Sequence, residues 1–123
     1  MTNRKKNKVK EVSQHNYYLN NLVNNLSKIG ERPYEIAWIM KDGIWMPRGT
    51  TKRNKLCDLI LVYYNRLGVP IELKGSTKKK RGALMQIKSG KKFLEEVIGV
   101  YVPYGRFITY KNGKFTNEKI MFK

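Results

Sequence analysis

Two of the nine acidic residues stand where a carboxylate is costly. Asp58 lies inside Cys57-Asp58-Leu59-Ile60-Leu61-Val62, and Glu72 inside Pro70-Ile71-Glu72-Leu73-Lys74. Among such apolar, strand-forming neighbours each would lose its hydration on folding unless a cation compensates it. Lys74 follows Glu72 by two positions, and the side-chain period of a strand returns it to the same face. Two carboxylates converging with an ammonium group predict a magnesium site with a water-activating partner. Mg2+ takes a few carboxylate oxygens and keeps several waters, leaving room for phosphate oxygens. It would neutralise charge on a pentavalent transition state and lower the pKa of the attacking water. Lys74 is then placed to orient or deprotonate that water, or to stabilise developing charge.

Whether these groups can meet depends on the turn between them. Asn65-Arg66-Leu67-Gly68 carries Asn first and Gly fourth, which predicts a type I turn closed by a glycine bulge. Asn65 would then pair with Val69, and even-numbered residues of both strands would share a face. Asp58, Glu72 and Lys74 fall on that face, while Leu59, Leu61, Ile71 and Leu73 fill the other. Lys74 becomes a diagonal neighbour of Asp58, about 7–8 Å away. Glu72 is left too far from Asp58 for one ion to bridge, unless the strand bends or bulges near Asp58 or the register slips by two.

The elements around this hairpin follow from pattern. Residues 1–8 carry Arg4, Lys5, Lys6 and Lys8 with almost nothing apolar and read as a mobile basic arm, leaving 9–123 as one domain. Val12, Tyr18, Leu19, Leu22, Val23, Leu26 and Ile29 recur at helical spacing and predict a helix over 9–29, stopped by Gly30 and followed by Pro33. A strand over 34–40 meets a tight-turn signal at Asp42-Gly43 and forms a hairpin with 44–46. Residues 48–55 read as a polar, basic loop. Strands at 56–64 and 69–74 make the central hairpin. A second helix is expected over 83–98, with Leu84, Ile87, Leu94 and Ile98 inward, flanked by Phe93 and Val97. Gly90 in its middle costs about 1 kcal/mol against Ala. A strand at 100–102 and a hairpin of 106–111 with 114–115, turning at Asn112-Gly113, complete the chain. The fold class is α/β (α+β), one domain with a central mixed sheet flanked by helices.

The 123 residues suffice for one domain and one core, burying about two-thirds of the unfolded chain's surface. Hydrophobic residues make up 41% and fall in clusters, unlike a disordered tail. Lys and Arg number 26 against 9 Asp and Glu, a formal charge of +17. So large a field opposes compactness, and a polyanionic partner offsets it; nucleic acid is the expected one. No run of 18 apolar residues and no amphipathic helix with a Trp/Phe/Leu face points to a membrane. The single cysteine, Cys57, excludes an intramolecular disulfide and a cysteine-based zinc site, and reads as a buried small hydrophobe. A reducing cytoplasm, bacterial or phage-infected, is the expected location; no apolar stretch follows the N-terminal basic residues to suggest a secretory signal. The usage of lysine and asparagine suits an AT-rich genome such as a bacteriophage's.

Asp58, a hairpin's length, then Glu72-Leu73-Lys74, with a helix before and after, resembles the PD-(D/E)XK nuclease superfamily over residues 9–102. The basic stretch Arg48-Gly49-Thr50-Thr51-Lys52-Arg53 and the run Gly75-Ser76-Thr77-Lys78 resemble two small branches, the archaeal-type Holliday junction resolvases and the VRR-NUC nucleases. Cys57 stands where that pattern often has proline. The resemblance implies a restriction-endonuclease-like domain and a metal-dependent endodeoxyribonuclease. It implies catalytic roles for Asp58, Glu72, Lys74 and Gln86. It also implies Mg2+, with Mn2+ as a substitute, held by Asp58, Glu72 and the Leu73 backbone carbonyl. The first helix of the family commonly adds a glutamate; Glu11 and Glu35 are the two candidates here. Branched or junction DNA is the implied substrate, and a homodimer would supply two cuts from one site per chain.

Arg48, Lys52, Arg53, Lys78, Lys79, Lys80, Arg81 and Lys88 are the expected DNA contacts, holding phosphates without reading bases. His15, the only histidine, lies four residues after Glu11, a helical spacing that could place both at the site, but a surface histidine is the favoured reading. Trp38, Trp45, Tyr101, Tyr104 and Phe107 read as core or dimer contacts. Two rivals to a junction resolvase stand beside it. One is a nicking, repair or mobile-element endonuclease of the same chemistry. The other is a basic nucleic-acid-binding protein without catalysis.

Overall fold

The computed structural model describes residues 3–111 and 113–122, with side chains from residue 13 onward. Helix α1 occupies Asn3–Val23. Residues 3–8, expected as a mobile arm, therefore belong to a helix. Lys and Arg are good helix formers, and no Gly or Pro interrupts them. The helix also ends sooner than its apolar spacing predicts. Asn25 Nδ2 donates to the Asn21 carbonyl at 2.7 Å, taking the acceptor that an α-helical Asn25 N–H would use. The Asn25 N–H turns to the Leu22 carbonyl at 2.9 Å instead. The chain tightens into a 3-10 turn, Leu26–Ile29, which Gly30 closes at a φ of 92°.

A second 3-10 turn, Pro33–Glu35, leads into β1 (Ile36–Lys41), followed by β2 (Ile44–Trp45), β3 (Asn54–Lys55), β4 (Leu59–Tyr63) and β5 (Gly68–Lys74). Helix α2 (Lys80–Phe93) continues into one wider π-helical turn, Leu94–Ile98. Strands β6 (Tyr104–Lys111) and β7 (Lys114–Met121) close the chain. The sheet runs β1-β4-β5-β6-β7, with only β5 and β6 parallel, joined through α2. It is mixed, as expected. Residues 100–102 form a single bridge, Leu67 to Tyr101, rather than a strand.

The expected hairpin of β1 with β2 does not form. β1 pairs with β4, and β2 with β3 in a separate two-stranded ribbon, so part of the expected basic loop is strand. The turn residues bond instead to the chain entering β4: the Asp42 N–H donates to the Asp58 carbonyl at 3.0 Å, and the Leu56 N–H to the Gly43 carbonyl at 2.9 Å.

Each face of the sheet carries a helix. Tyr18, Leu19, Leu22 and Leu26 cover Leu59, Leu61, Val69, Ile71 and Leu73 on one side. Phe93 and Leu94 gather with Cys57, Ile60 and Val62 on the other, and Ala83 and Ile87 meet Phe107. The buried line of α2 is thus Ala83, Ile87, Gly90 and Leu94, while Leu84 and Ile98 are half-buried and Val97 is exposed. Gly90 makes this possible. A Cβ there would sit 2.6 Å from Cys57 Sγ and 2.9 Å from Pro70 Cβ, so the helix presses directly on the strands.

The β4–β5 hairpin turns two residues earlier than predicted. The Tyr63 N–H donates to the Leu67 carbonyl at 2.8 Å, leaving Tyr64-Asn65-Arg66 as the loop. Arg66, at φ 66°, holds the left-handed position expected of glycine. Gly68 lies inside β5, where a Cβ would meet Leu94 Cδ2 and Val100 Cγ2, each at 2.9 Å. The slip of two residues preserves which side chains share a face. Gly68→Ala is expected to lower stability by about 1–3 kcal/mol through overpacking. Arg66→Gly should leave it unchanged or raise it by up to about 1 kcal/mol, relief of the left-handed strain exceeding glycine's entropy cost. Urea unfolding of the two variants tests both expectations.

Candidate active site

The shifted register brings the two acids together. The ladder's last pair is Leu59 with Ile71, which puts Asp58 opposite Glu72. Asp58 lies in a bend just before β4, and there side chains take over from backbone. Glu72 Oε1 accepts the Asp58 N–H at 2.8 Å, and Asp58 Oδ2 accepts the Leu73 N–H at 2.8 Å. The two strands are clasped reciprocally, each by the other's carboxylate. Both acids are buried, at 2% and 1% exposure. Lys74 Nζ stands 3.2 Å from Glu72 Oε2. A strand residue directs its N–H and C=O to the same side, so the Leu73 carbonyl also faces the edge beside Asp58.

His15 completes the cluster from α1, its Nε2 3.3 Å from Asp58 Oδ1. It was expected on the surface, because its flanking residues Gln14 and Asn16 are polar; the spacing from Glu11 was the one signal that placed this face of the helix near the acids. Asp42 was missed as well. Read only as a turn residue, it lines the same cleft as Asp58.

The cleft has a volume of about 860 Å³. α1 forms one wall with Gln14, His15, Asn16 and Tyr18, and Lys55, Lys74, Lys79 and Lys111 are among the residues that line the remainder. Glu72 does not reach its surface. Of the expected DNA contacts, Lys79 alone lines the cleft, and Lys55 and Lys111 were not foreseen. Arg48, Lys52, Arg53, Lys78 and Arg81 are exposed on the flanking loops and the start of α2. Lys80 is committed to Glu118 at 2.6 Å, and Lys88 borders a separate hollow with Lys91, Lys92, Glu95 and Phe122.

One further expected residue does not join the cluster. Glu35 is exposed and pairs with Arg32. Its carbonyl accepts the Tyr64 N–H, at the opposite end of β4 from Asp58 and about 20 Å away at 3.3 Å per strand residue. Gln86 lies on α2, half-buried, with its Oε1 enclosed and, among the described residues, without a hydrogen-bond partner. Glu11 has its side chain outside the described residues. Among the described residues, no group of three or more His, Cys, Asp or Glu side chains is arranged to hold a metal. The donor set therefore amounts to two facing carboxylates with room for water, which suits Mg2+: that ion is commonly held by one or two carboxylates and keeps its remaining waters.

The electrostatics of the pair are unequal. Burial pushes the Glu72 carboxyl up to about 7, and the negative charge of Asp58 adds to the rise. Burial also opposes ionisation of Asp58, but hydrogen bonds from His15 and the Leu73 N–H outweigh it and hold Asp58 below its usual range. The hydrogen bond to Asp58 raises His15. Cys57, beside the pair, is buried and its thiol is pushed far up, which leaves it unreactive.

In comparisons with known proteins, no family model and no curated sequence matches this chain. Among the described residues, no helix is long and apolar enough to cross a membrane.

The raised Glu72 links stability to pH. The folded protein holds a proton there that the unfolded chain has released, so this contribution is complete below about pH 4.5 and lost as pH rises through about 7. His15 acts in the same direction. The lowered Asp58 contributes stability above its usual value of 3.8, lost as pH falls through its folded value. The metal-free protein is therefore expected to melt several degrees lower at about pH 8 than at about pH 5.5. Glu72→Gln should flatten that difference, as thermal scans at both pH values would reveal.

Proposed function

We propose that this protein is a divalent-cation-dependent DNA endonuclease that hydrolyses phosphodiester bonds. Branched or junction DNA is its substrate, and two copies deliver paired cuts. One observation carries the reading. Two buried carboxylates face each other across a hairpin, joined to Lys74 and open through Asp58 to a lysine-lined cleft, in a chain of net charge +17.

Asp58, Glu72 and the Leu73 carbonyl would hold the cation, Mg2+ or its substitute Mn2+. When bound, such an ion activates water and neutralises charge building on a phosphate. The chain's own residues do the remainder. Lys55, Lys79 and Lys111 line the cleft and attract the phosphate backbone. Lys74 is held by Glu72 where an ammonium can orient a water and stabilise developing negative charge. The hydrogen bond from the Leu73 N–H fixes the Asp58 carboxylate without a further ligand. Arg48, Lys52, Arg53, Lys78 and Arg81 extend the positive surface beyond the cleft.

The test is cleavage of four-way junction, flap and linear duplex DNA with Mg2+. Asp58→Asn and Glu72→Gln keep an oxygen to accept the clasp's backbone N–H groups, whereas alanine would orphan them. Each should reduce cutting by at least about a hundredfold, and Lys74→Ala by a similar factor. Binding measured by gel shift should hold or tighten, because negative charge is removed from a DNA-facing site. Paired nicks near the branch point are expected of a resolvase. Cuts confined to linear or flapped DNA would point to a nicking or repair enzyme. Salt-sensitive binding with no cutting, or full activity in both acid variants, would overturn the nuclease reading.

A further inference from the structure

The end of the sheet away from Asp58 exposes a group of tyrosines. Tyr34 is 99% exposed, Tyr64 74% and Tyr101 66%, with Val97 at 54%. Backbone hydrogen bonds gather the segments that carry them. The Tyr64 N–H donates to the Glu35 carbonyl at 3.0 Å, and the Tyr101 N–H to the Arg66 carbonyl at 3.1 Å. Leu94 and Val100, which bracket Val97, stand against Gly68 beside the same loop. The surface is also stiffened from within. Tyr63 and Tyr104 bond to Glu31 through their hydroxyls, and the Arg32 N–H donates to the Tyr63 hydroxyl at 3.0 Å.

Charge at this end is balanced, unlike that of the cleft. Arg32 pairs with Glu35, and Lys91 with Glu95. Arg66 and Glu96 remain, one of each sign, both exposed and without an ion pair or side-chain hydrogen bond among the described residues. Arg66 also holds a φ of 66°, which glycine would adopt without strain, so its side chain is kept where the chain itself makes no such bond with it.

A polyanion would find little to hold here, whereas tyrosines flanked by one arginine and one glutamate suit a second copy of this chain. A two-fold axis can set Arg66 against the partner's Glu96 and Glu96 against the partner's Arg66, forming the same pair twice. The area is adequate. The three tyrosines offer on the order of 500 Å² per copy, against the about 800 Å² per partner of a standard interface.

We infer that this end of the sheet is a two-fold interface with a second copy of the chain, centred on Tyr34, Tyr64, Val97 and Tyr101 and oriented by reciprocal Arg66–Glu96 pairs. It rests on the proposed function for its two copies, while the residues that carry it lie outside the cleft. Both clefts stay uncovered, each at the far end of its own β4.

Sedimentation equilibrium of the full chain without DNA tests the interface. A dimer with a dissociation constant in the micromolar range or below is expected; a monomer at every soluble concentration would overturn the inference. Tyr64→Asp combined with Tyr101→Asp should give a monomer, and because both side chains are exposed its circular dichroism should match the parent's. A dimer that survives this double variant has its interface elsewhere, which would also overturn it. Arg66→Glu and Glu96→Arg should each weaken the dimer by about tenfold or more, and the two together should restore it to within about threefold. Weakening without restoration would refute the reciprocal pairing. Asp58→Asn, expected to abolish cutting, should dimerise as the parent does, so the interface and the nuclease reading fail separately.

Discussion

Where the β4–β5 ladder stops at Leu59 and Ile71, the next rung is made of side chains. Asp58 and Glu72 each accept a backbone N–H from the opposite strand, so the two carboxylates proposed as the cation site also hold the hairpin's open end shut. This double duty governs the site. Hydrogen bonds from N–H groups stabilise the charged forms, while burial and the proximity of two like charges oppose them. Asp58 wins that contest and Glu72 loses it. Lys74, 3.2 Å from Glu72, offsets part of the excess, and the remaining negative field is what a divalent ion would meet on entering the cleft.

The opposite end of the sheet shows how a buried acid looks when the chain satisfies it completely. Glu31 is 4% exposed, ion-paired with the Arg106 Nε, and accepts hydrogen bonds from Tyr63 and from Tyr104, the latter at 3.0 Å to each oxygen. Arg106 reaches on to Asn117 Oδ1 at 3.2 Å, and the Asn117 amide donates to the Ile29 carbonyl at 3.1 Å. Charge, phenols and guanidinium form one closed network that ties the end of the first helical segment to β4, β6 and β7. A saturated acid of this kind is architecture. Asp58 differs by facing open space with a share of its lone pairs still uncommitted.

The hairpin that carries both buried acids was legible because its signals are local. Apolar runs marked β4 and β5, period two put Asp58, Glu72 and Lys74 on a common face, and a two-residue slip does not alter that parity. The turn itself was misplaced because Gly68 serves contact with Leu94 and Val100, and a sequence cannot tell a glycine needed for dihedral freedom from one needed for room. Gly90 poses the same ambiguity against Cys57 and Pro70. Partnerships across long separations left no trace. β1 chose β4 over its neighbour β2, Glu31 found Arg106, and His15 found Asp58, each decided by packing of distant segments. Asn25 ended α1 early through a side-chain bond that hydrophobic spacing does not register.

The short span of the hairpin has a kinetic meaning. Asp58 and Glu72 are 14 residues apart, joined through a three-residue loop, whereas His15 is 43 residues from Asp58. Closing the shorter loop costs less chain entropy, and isolated hairpins form within microseconds. The acids can therefore meet while both are still hydrated, before either helix excludes water from them. The electrostatic burden of the cluster then falls on the later docking of α1 and α2, the step at which a counter-ion in solution would do most to speed assembly.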